Sequence, residues 1–248
     1  MSLTHDVLMD VDYARLLVTW QDPATRAFWR IGVLTHSDTT GYEFEYITGI
    51  EVLDGFVPFL GLDDVRQVYR SSELFPFFAE RMMDPGRVGF DAWLQRLHME
   101  ATASPMEILA KSHGSRGTDT VQLFAVPRVD DERFTATQFF VNGVRHVEGA
   151  SDRIEELKPE QRLSIKEDPE NDWDVRALIV TTDGAPLGFI PGPLLDYVHV
   201  LRASQSWGFE VVQVNPVEMG NHFRLLVQIS GQLPADYDVL LSMKASIG

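Results

Sequence analysis

Four side chains in the second half of the sequence have the types and spacing that nucleotide chemistry uses. They are Arg145 in GVRHVEG, and Asn171, Trp173 and Asp174 in KEDPENDWDVRALIV. An indole beside a polar loop offers a π-face to one base, a contact worth roughly 1–3 kcal/mol on truncation in single-strand binders. Asn171 supplies both a donor and an acceptor, and Asp174 can accept a hydrogen bond from a terminal sugar hydroxyl. Arg145 can hold a phosphate with two parallel N–H groups. A second reading uses the same residues differently. Asn171, Asp168, Asp172 and Asp174 are also what a tight turn uses to bond its own backbone, with Trp173 covering an edge. Arg145 is then a surface ion-pair residue, with Glu148 and Asp174 as partners.

Other constellations are weaker. The histidines at 5, 36, 98, 113, 146, 199 and 222 are scattered, and none has metal-ligand spacing. Asp63-Asp64 precedes VRQVYR as helix-start acids do. The chain holds no cysteine, which removes disulfides, thiolate metal sites and thiol nucleophiles together. No G-x-S-x-G or G-x-x-x-x-G-K-[ST] occurs. The expectation is a protein that is no enzyme, with no metal and no cofactor.

The elements that must position Arg145 and the Trp173 loop follow from periodicity. QFFVNGVRHVEG, RLSIKED, VRALIVTTDG and PLGFIP read as strands, with Asp183-Gly184 as a tight turn. PGPLLDYVHVLRASQSWG reads as a helix with Pro193 near its first turn, and FEVVQVNP and HFRLLVQIS complete the sheet. Upstream, ARLLVTW, RIGVLTHS and YEFEYITG form an antiparallel meander, the last with Tyr42, Phe44 and Tyr46 on one face and Glu43 and Glu45 on the other. The stretch LDDVRQVYRSSELFPFFAERMMD shifts toward helical period, and FDAWLQRLHME is an amphipathic helix. Ser104-Pro105 is the cap and first position of a helix ending at Gly114, and TDTVQLFAVP closes the block as a strand. The aromatic cluster LFPFF is read as core, with a partner-binding patch as its alternative.

The second block resembles the HIRAN family. GVRHVEG, then RLSIKEDPENDWDVRALIV, then DGAPLGFIP followed by a helix reproduce its order of motifs over about residues 138–245. The resemblance implies an OB-like small β-barrel with helices, and capture of the 3′-hydroxyl end of single-stranded DNA. By it, Arg145, Asn171, Trp173 and Asp174 match positions lining the DNA-end pocket. His146 and Val147 stand where the DNA-end binders have two aromatics, and Phe189 follows Gly188 where a polar or aromatic residue is common. The implied binding set is therefore Arg145, His146, Asn171, Trp173, Asp174 and Phe189.

The first block is similar to the N-terminal domain of HipA-type kinases over about residues 13–128. RIGVLTHSDTTGYEFEYITG, LFPFFAERMMDP, SPMEILAKSHGSRGTD and VQLFAVP carry the likeness. Ala79-Glu80-Arg81 and the HGSRG turn depart from that family's pattern, and no kinase core follows. The likeness implies a kinase-like or nucleic-acid-processing protein as partner.

Totals bound these readings. The 248 residues carry 37 acids against 21 bases, a net charge of −16 with pI about 4.7. Residues 1–128 have 18 acids and 11 bases (−7), and the remainder 19 acids and 10 bases (−9). Neither half can grip a duplex along its length, because neutralised phosphates supply most of that affinity. A pocket for one or two terminal nucleotides needs little positive charge. No apolar run is long enough for a bilayer, and the acid-bearing start is unlike a signal peptide. The expectation is a cytoplasmic α+β protein: a HipA-N-like domain over 1–128, a linker over 129–137, and a HIRAN-like domain over 138–248. It is expected to be a recognition protein of a bacterial system that binds single-stranded DNA 3′ ends. The alternative is a protein–protein adaptor in a toxin-antitoxin or defence complex, without direct DNA binding.

Overall fold

The computed structural model describes residues 13–117 and 119–239. The acidic start and the end of the tail beyond residue 239 lie outside the described residues. Mixed sheets and helices make the chain α+β. It divides into two compact units, residues 13–126 and Pro127–Tyr237.

The first unit holds a five-stranded antiparallel sheet. Its strands are β1 (Arg15–Gln21), β2 (Phe28–Ser37), β3 (Gly41–Tyr46), β4 (Tyr69–Ser71) and, after three helices, β5 (Val121–Ala125), in the order β4-β3-β2-β1-β5. The alternation of β3 does what its sequence requires: Tyr42, Phe44 and Tyr46 are buried while Glu43 and Glu45 are half-buried. Gly32 lies under the Phe44 ring, where a Cβ would come within 2.6 Å of it.

The helices are α1 (Pro76–Ala79), α2 (Phe90–Arg96) and α3 (Pro105–Ser112). Helix α3 starts as expected, with Ser104 Oγ accepting from the Glu107 backbone N–H at 3.2 Å, and ends at His113 with φ of 55°. The helical expectation for residues 62–84 is largely corrected. Asp64 forms a turn in which Oδ1 accepts from Arg66 N and the Tyr69 hydroxyl accepts from Asp64 N. Residues 69–71 are strand, and only four residues around LFPFF are helical. The apolar spacing there reports side chains converging on one core from irregular backbone. Phe75 and Phe78 are buried, and Phe77 stacks on Phe59 with centroids 3.9 Å apart, so the aromatic cluster is core.

The second unit contains β6 (Phe134–Phe140), α4 (Ala150–Glu155), β7 (Ser164–Glu167), β8 (Leu178–Thr182), β9 (Ala185–Phe189), α5 (Leu195–Arg202), β10 (Trp207–Val214) and β11 (Leu225–Gln232). Of the segment read as a linker, Phe134 onward is strand, and Asp130–Arg133 turns into it with Asp130 Oδ1 accepting from Phe134 N. The segment read as one strand, 138–149, leaves β6 at Phe140, and a 3-10 turn, Val144–His146, precedes α4.

Two three-stranded antiparallel sheets form, β10-β11-β6 and β7-β8-β9. They meet at two single bridges, Asn142 with Phe189 and Arg162 with Glu210. Among the described residues the expected OB-like barrel is not seen closed; two sheets joined by isolated bridges stand in its place. Asp183 (φ 47°) and Gly184 (φ 83°) make the expected two-residue turn from β8 to β9. Gly188 explains its own place in the GFIP motif. At φ 155°, a Cβ there would lie 2.5 Å from Asn142 O, so only glycine lets β9 pass against the end of β6.

Candidate functional site

The loop from Asp168 to Ala177 joins β7 to β8 and is closed at its base by the Asp168 N–H donating to Ala177 O at 2.9 Å. Asn171 organises its interior. Its Oδ1 accepts from the backbone N–H groups of Trp173 (3.1 Å) and Asp174 (3.2 Å), while its Nδ2 donates to Asp168 Oδ2 at 2.9 Å. Asp174 Oδ1 accepts from Arg176 N at 2.8 Å, and Ala177 N donates to Asp174 O. Asn171 and Asp174 therefore do brace the turn, as the plainer of the two sequence readings requires. Trp173 does not cover an edge. Its side chain stands 73% exposed at the loop tip, beside Val175 at 73%. The loop spends its polar groups on itself and presents an indole.

Arg145 and His146 sit on the 3-10 turn Val144–His146, and both are exposed. The sequence offered Glu148 and Asp174 as ion-pair partners for Arg145. Instead, Arg145 Nε donates to His146 Nε2 at 2.9 Å, and among the described residues Arg145 forms no ion pair. Among those residues no carboxylate contact neutralises its charge.

Phe189 ends β9 and is half-buried. It exchanges both backbone hydrogen bonds with Asn142, at 2.8 and 2.9 Å, and the Cβ position of Gly143 lies 3.0 Å from its ring. Phe189 also pairs with Ile179 near the start of β8, directly after the Trp173 loop. The topology thus brings the Arg145-His146 turn, Phe189 and the base of the Trp173 loop to one end of the β7-β8-β9 sheet.

Two features escaped the sequence. The first is a fastening of the loop to α5: Arg176 Nη2 meets Asp196 Oδ1 at 2.5 Å, and His199 Nε2 donates to Arg176 O at 2.9 Å. The three-residue spacing of Asp196 and His199 on one helical face was a readable signal. The second is the 3-10 turn Asn221–Phe223, which lies against Val144–His146. Phe223 packs edge-on to Phe140 at 5.2 Å, and His222 is exposed. This approach joins residues about eighty positions apart and leaves no local trace.

Electrostatically the site is divided. Glu167, Asp168, Glu170, Asp172 and Asp174 crowd the stretch around Trp173, while Arg145, His146 and His222 occupy the neighbouring turns. A base can stack on such a tip, but a chain of phosphates laid across it would meet repulsion. Among the described residues no group of histidines and carboxylates is placed to hold a metal, and no helix is long and apolar enough to cross a membrane.

No family model and no curated protein matches the chain. Among solved structures, it is similar to a protein from Lactobacillus plantarum, at 19% identity and a TM-score of 0.31, over 40% of this chain and 99% of that one. It is also similar to the HIRAN domain of human HLTF, at 16% identity and a TM-score of 0.32, over 46% of this chain and 92% of that one.

Proposed function

We propose that the second unit is a nucleic-acid recognition module of the HIRAN kind, with an OB-like arrangement of its two sheets, that takes the 3′-hydroxyl end of single-stranded DNA against Trp173. In this reading the chain carries out no chemistry, works in the cytoplasm, and recognises ends for a bacterial multi-component system. The first unit, HipA-N-like in its motifs, supplies contact with a kinase-like or nucleic-acid-processing partner.

The observation that carries the proposal is the exposed indole on a loop whose backbone Asn171 ties down. A stacking platform is effective when it is both reachable and held, because little ordering is left to do on binding. Arg145, which forms no ion pair among the described residues, serves the adjacent phosphate, and His146, Asp174 and Phe189 line the approach.

The test is fluorescence anisotropy with single-stranded oligonucleotides ending in a 3′-hydroxyl or a 3′-phosphate. The hydroxyl end binds the tighter, and Trp173→Ala weakens it at least about fivefold with unchanged melting. Equal affinity for the two ends would overturn the proposal. Asn171→Ala is a poor probe, since it removes the acceptor that holds the loop.

The five acids about Trp173, with exposed Val175 alongside, favour a second reading. An apolar tip in so acidic a stretch also suits a cationic segment of a protein partner. That adaptor predicts a co-purifying protein released by Trp173→Ala, with no oligonucleotide affinity.

A further inference from the structure

The geometry points to helix α5 as the element that sets the pose of Trp173, through a two-point clasp on Arg176 formed by Asp196 and His199. The binding arm of the test below rests on the proposed recognition function; the clasp itself does not.

Helix α5 is anchored from beneath. Tyr197, Val198 and Leu201 are fully buried, so its other face is presented from a fixed base. From that face Asp196 Oδ1 takes the Arg176 guanidinium at 2.5 Å, and one turn later His199 Nε2 donates to the Arg176 carbonyl at 2.9 Å. One residue is thereby held by side chain and by backbone, which fixes its position and its orientation together.

Arg176 passes that constraint up the loop. Its N–H donates to Asp174 Oδ1 at 2.8 Å, and the N–H groups of Asp174 and Trp173 both donate to Asn171 Oδ1. An unbroken hydrogen-bonded path runs from the helix to the backbone that carries the indole. The clasp adds little to global stability, since the Arg176 side chain is 53% exposed and exposed ion pairs contribute little. Its effect falls on the loop, where a held conformation spares a ligand the ordering cost. Asp196 and His199 are therefore positioning residues. They act through Arg176 and touch no ligand.

The test labels the protein with 5-fluorotryptophan and assigns the Trp173 resonance by its loss in Trp173→Phe. In Asp196→Ala/His199→Ala that resonance shifts and narrows while the melting temperature stays near wild type. Affinity for a 3′-hydroxyl oligonucleotide falls about tenfold. His199→Gln, which keeps an N–H donor, retains wild-type affinity and spectrum. A Trp173 resonance that superposes on wild type in the double variant overturns the inference. If the double variant loses its folded spectrum, Arg176→Gln, which leaves α5 intact, is read by the same criterion. If the wild-type protein binds no oligonucleotide, the proposed function fails while the resonance comparison still decides the clasp.

Discussion

Arg81 holds Asp119 with both terminal guanidinium nitrogens, at 2.7 and 3.1 Å, from a side chain that is 1% exposed. The same guanidinium donates to Gly114 O at 3.1 Å and lies 4.3 Å from the Phe77 ring centroid. A few residues away Arg116 pairs with Glu80 at 3.2 Å. Through these contacts residues 79–81 and residues 114–119 are tied together in one cluster.

Breaking that pair leaves a buried guanidinium or an unfilled space. Arg81→Leu and Asp119→Ala should each lower unfolding free energy by about 2–4 kcal/mol. The double variant should cost clearly less than the sum of the two. Urea titrations arranged as a double-mutant cycle check the coupling; strict additivity would show the contact to be energetically idle.

Gly188 makes a second expectation. Alanine there must hold φ 155° and fit a Cβ 2.5 Å from Asn142 O, so β9 or the end of β6 has to move. A loss of about 2–4 kcal/mol follows from overpacking and backbone strain together. Because Phe189 is the next residue, oligonucleotide affinity should fall with it, whereas Gly184→Asn, in a turn that tolerates asparagine, should leave affinity unchanged.

Alkaline stability can be argued from Tyr197, whose hydroxyl sits 3.1 Å from that of Thr135 in the core. Burial pushes its pKa well above the usual phenol value. The folded state thus keeps a proton that the unfolded chain releases near pH 10. Its contribution is fully present below about pH 10 and is lost as pH rises through the folded value. Tyr197→Phe should flatten the fall of melting temperature above pH 10 and cost about 1 kcal/mol at neutral pH through the unpaired Thr135 hydroxyl.

Salt dependence separates end recognition from strand tracking. In the proposed reading, a site in which Arg145 forms no ion pair among the described residues, with five acids in the stretch around Trp173, would neutralise about one or two phosphates. The slope of log affinity against log salt should lie near −0.7 to −1.4. A slope of −3 or steeper would mean that the strand follows a basic path elsewhere on the protein.

Local chemistry was legible and distant chemistry was not. The alternation of Tyr42, Phe44 and Tyr46, the Ser104-Pro105 start of α3 and the Asp183-Gly184 turn each depend on neighbours within a few residues, and each is found. The helical reading of 62–84 failed because aromatic residues reaching one core from turns mimic helical spacing. Residues 143–149 were read as strand because two glycines at positive φ, Gly143 and Gly149, turn the chain where apolar residues suggested extension. At the site, the loop's residue types revealed both of their uses, bracing and display. Of the clasp only the Asp196–His199 spacing is local; its target, Arg176, and the approach of residues 221–223 to 144–146 depend on tertiary placement.

The bridges between the two sheets of the second unit have a last implication. Residues 160–163 exchange backbone hydrogen bonds with Phe209 and Val211, and Asn142 exchanges two with Phe189. Those rims are already occupied by the chain's own backbone. A foreign peptide seeking to extend either sheet at these places would have to displace a resident segment rather than append itself. Intruding chains are therefore discouraged from templated growth there.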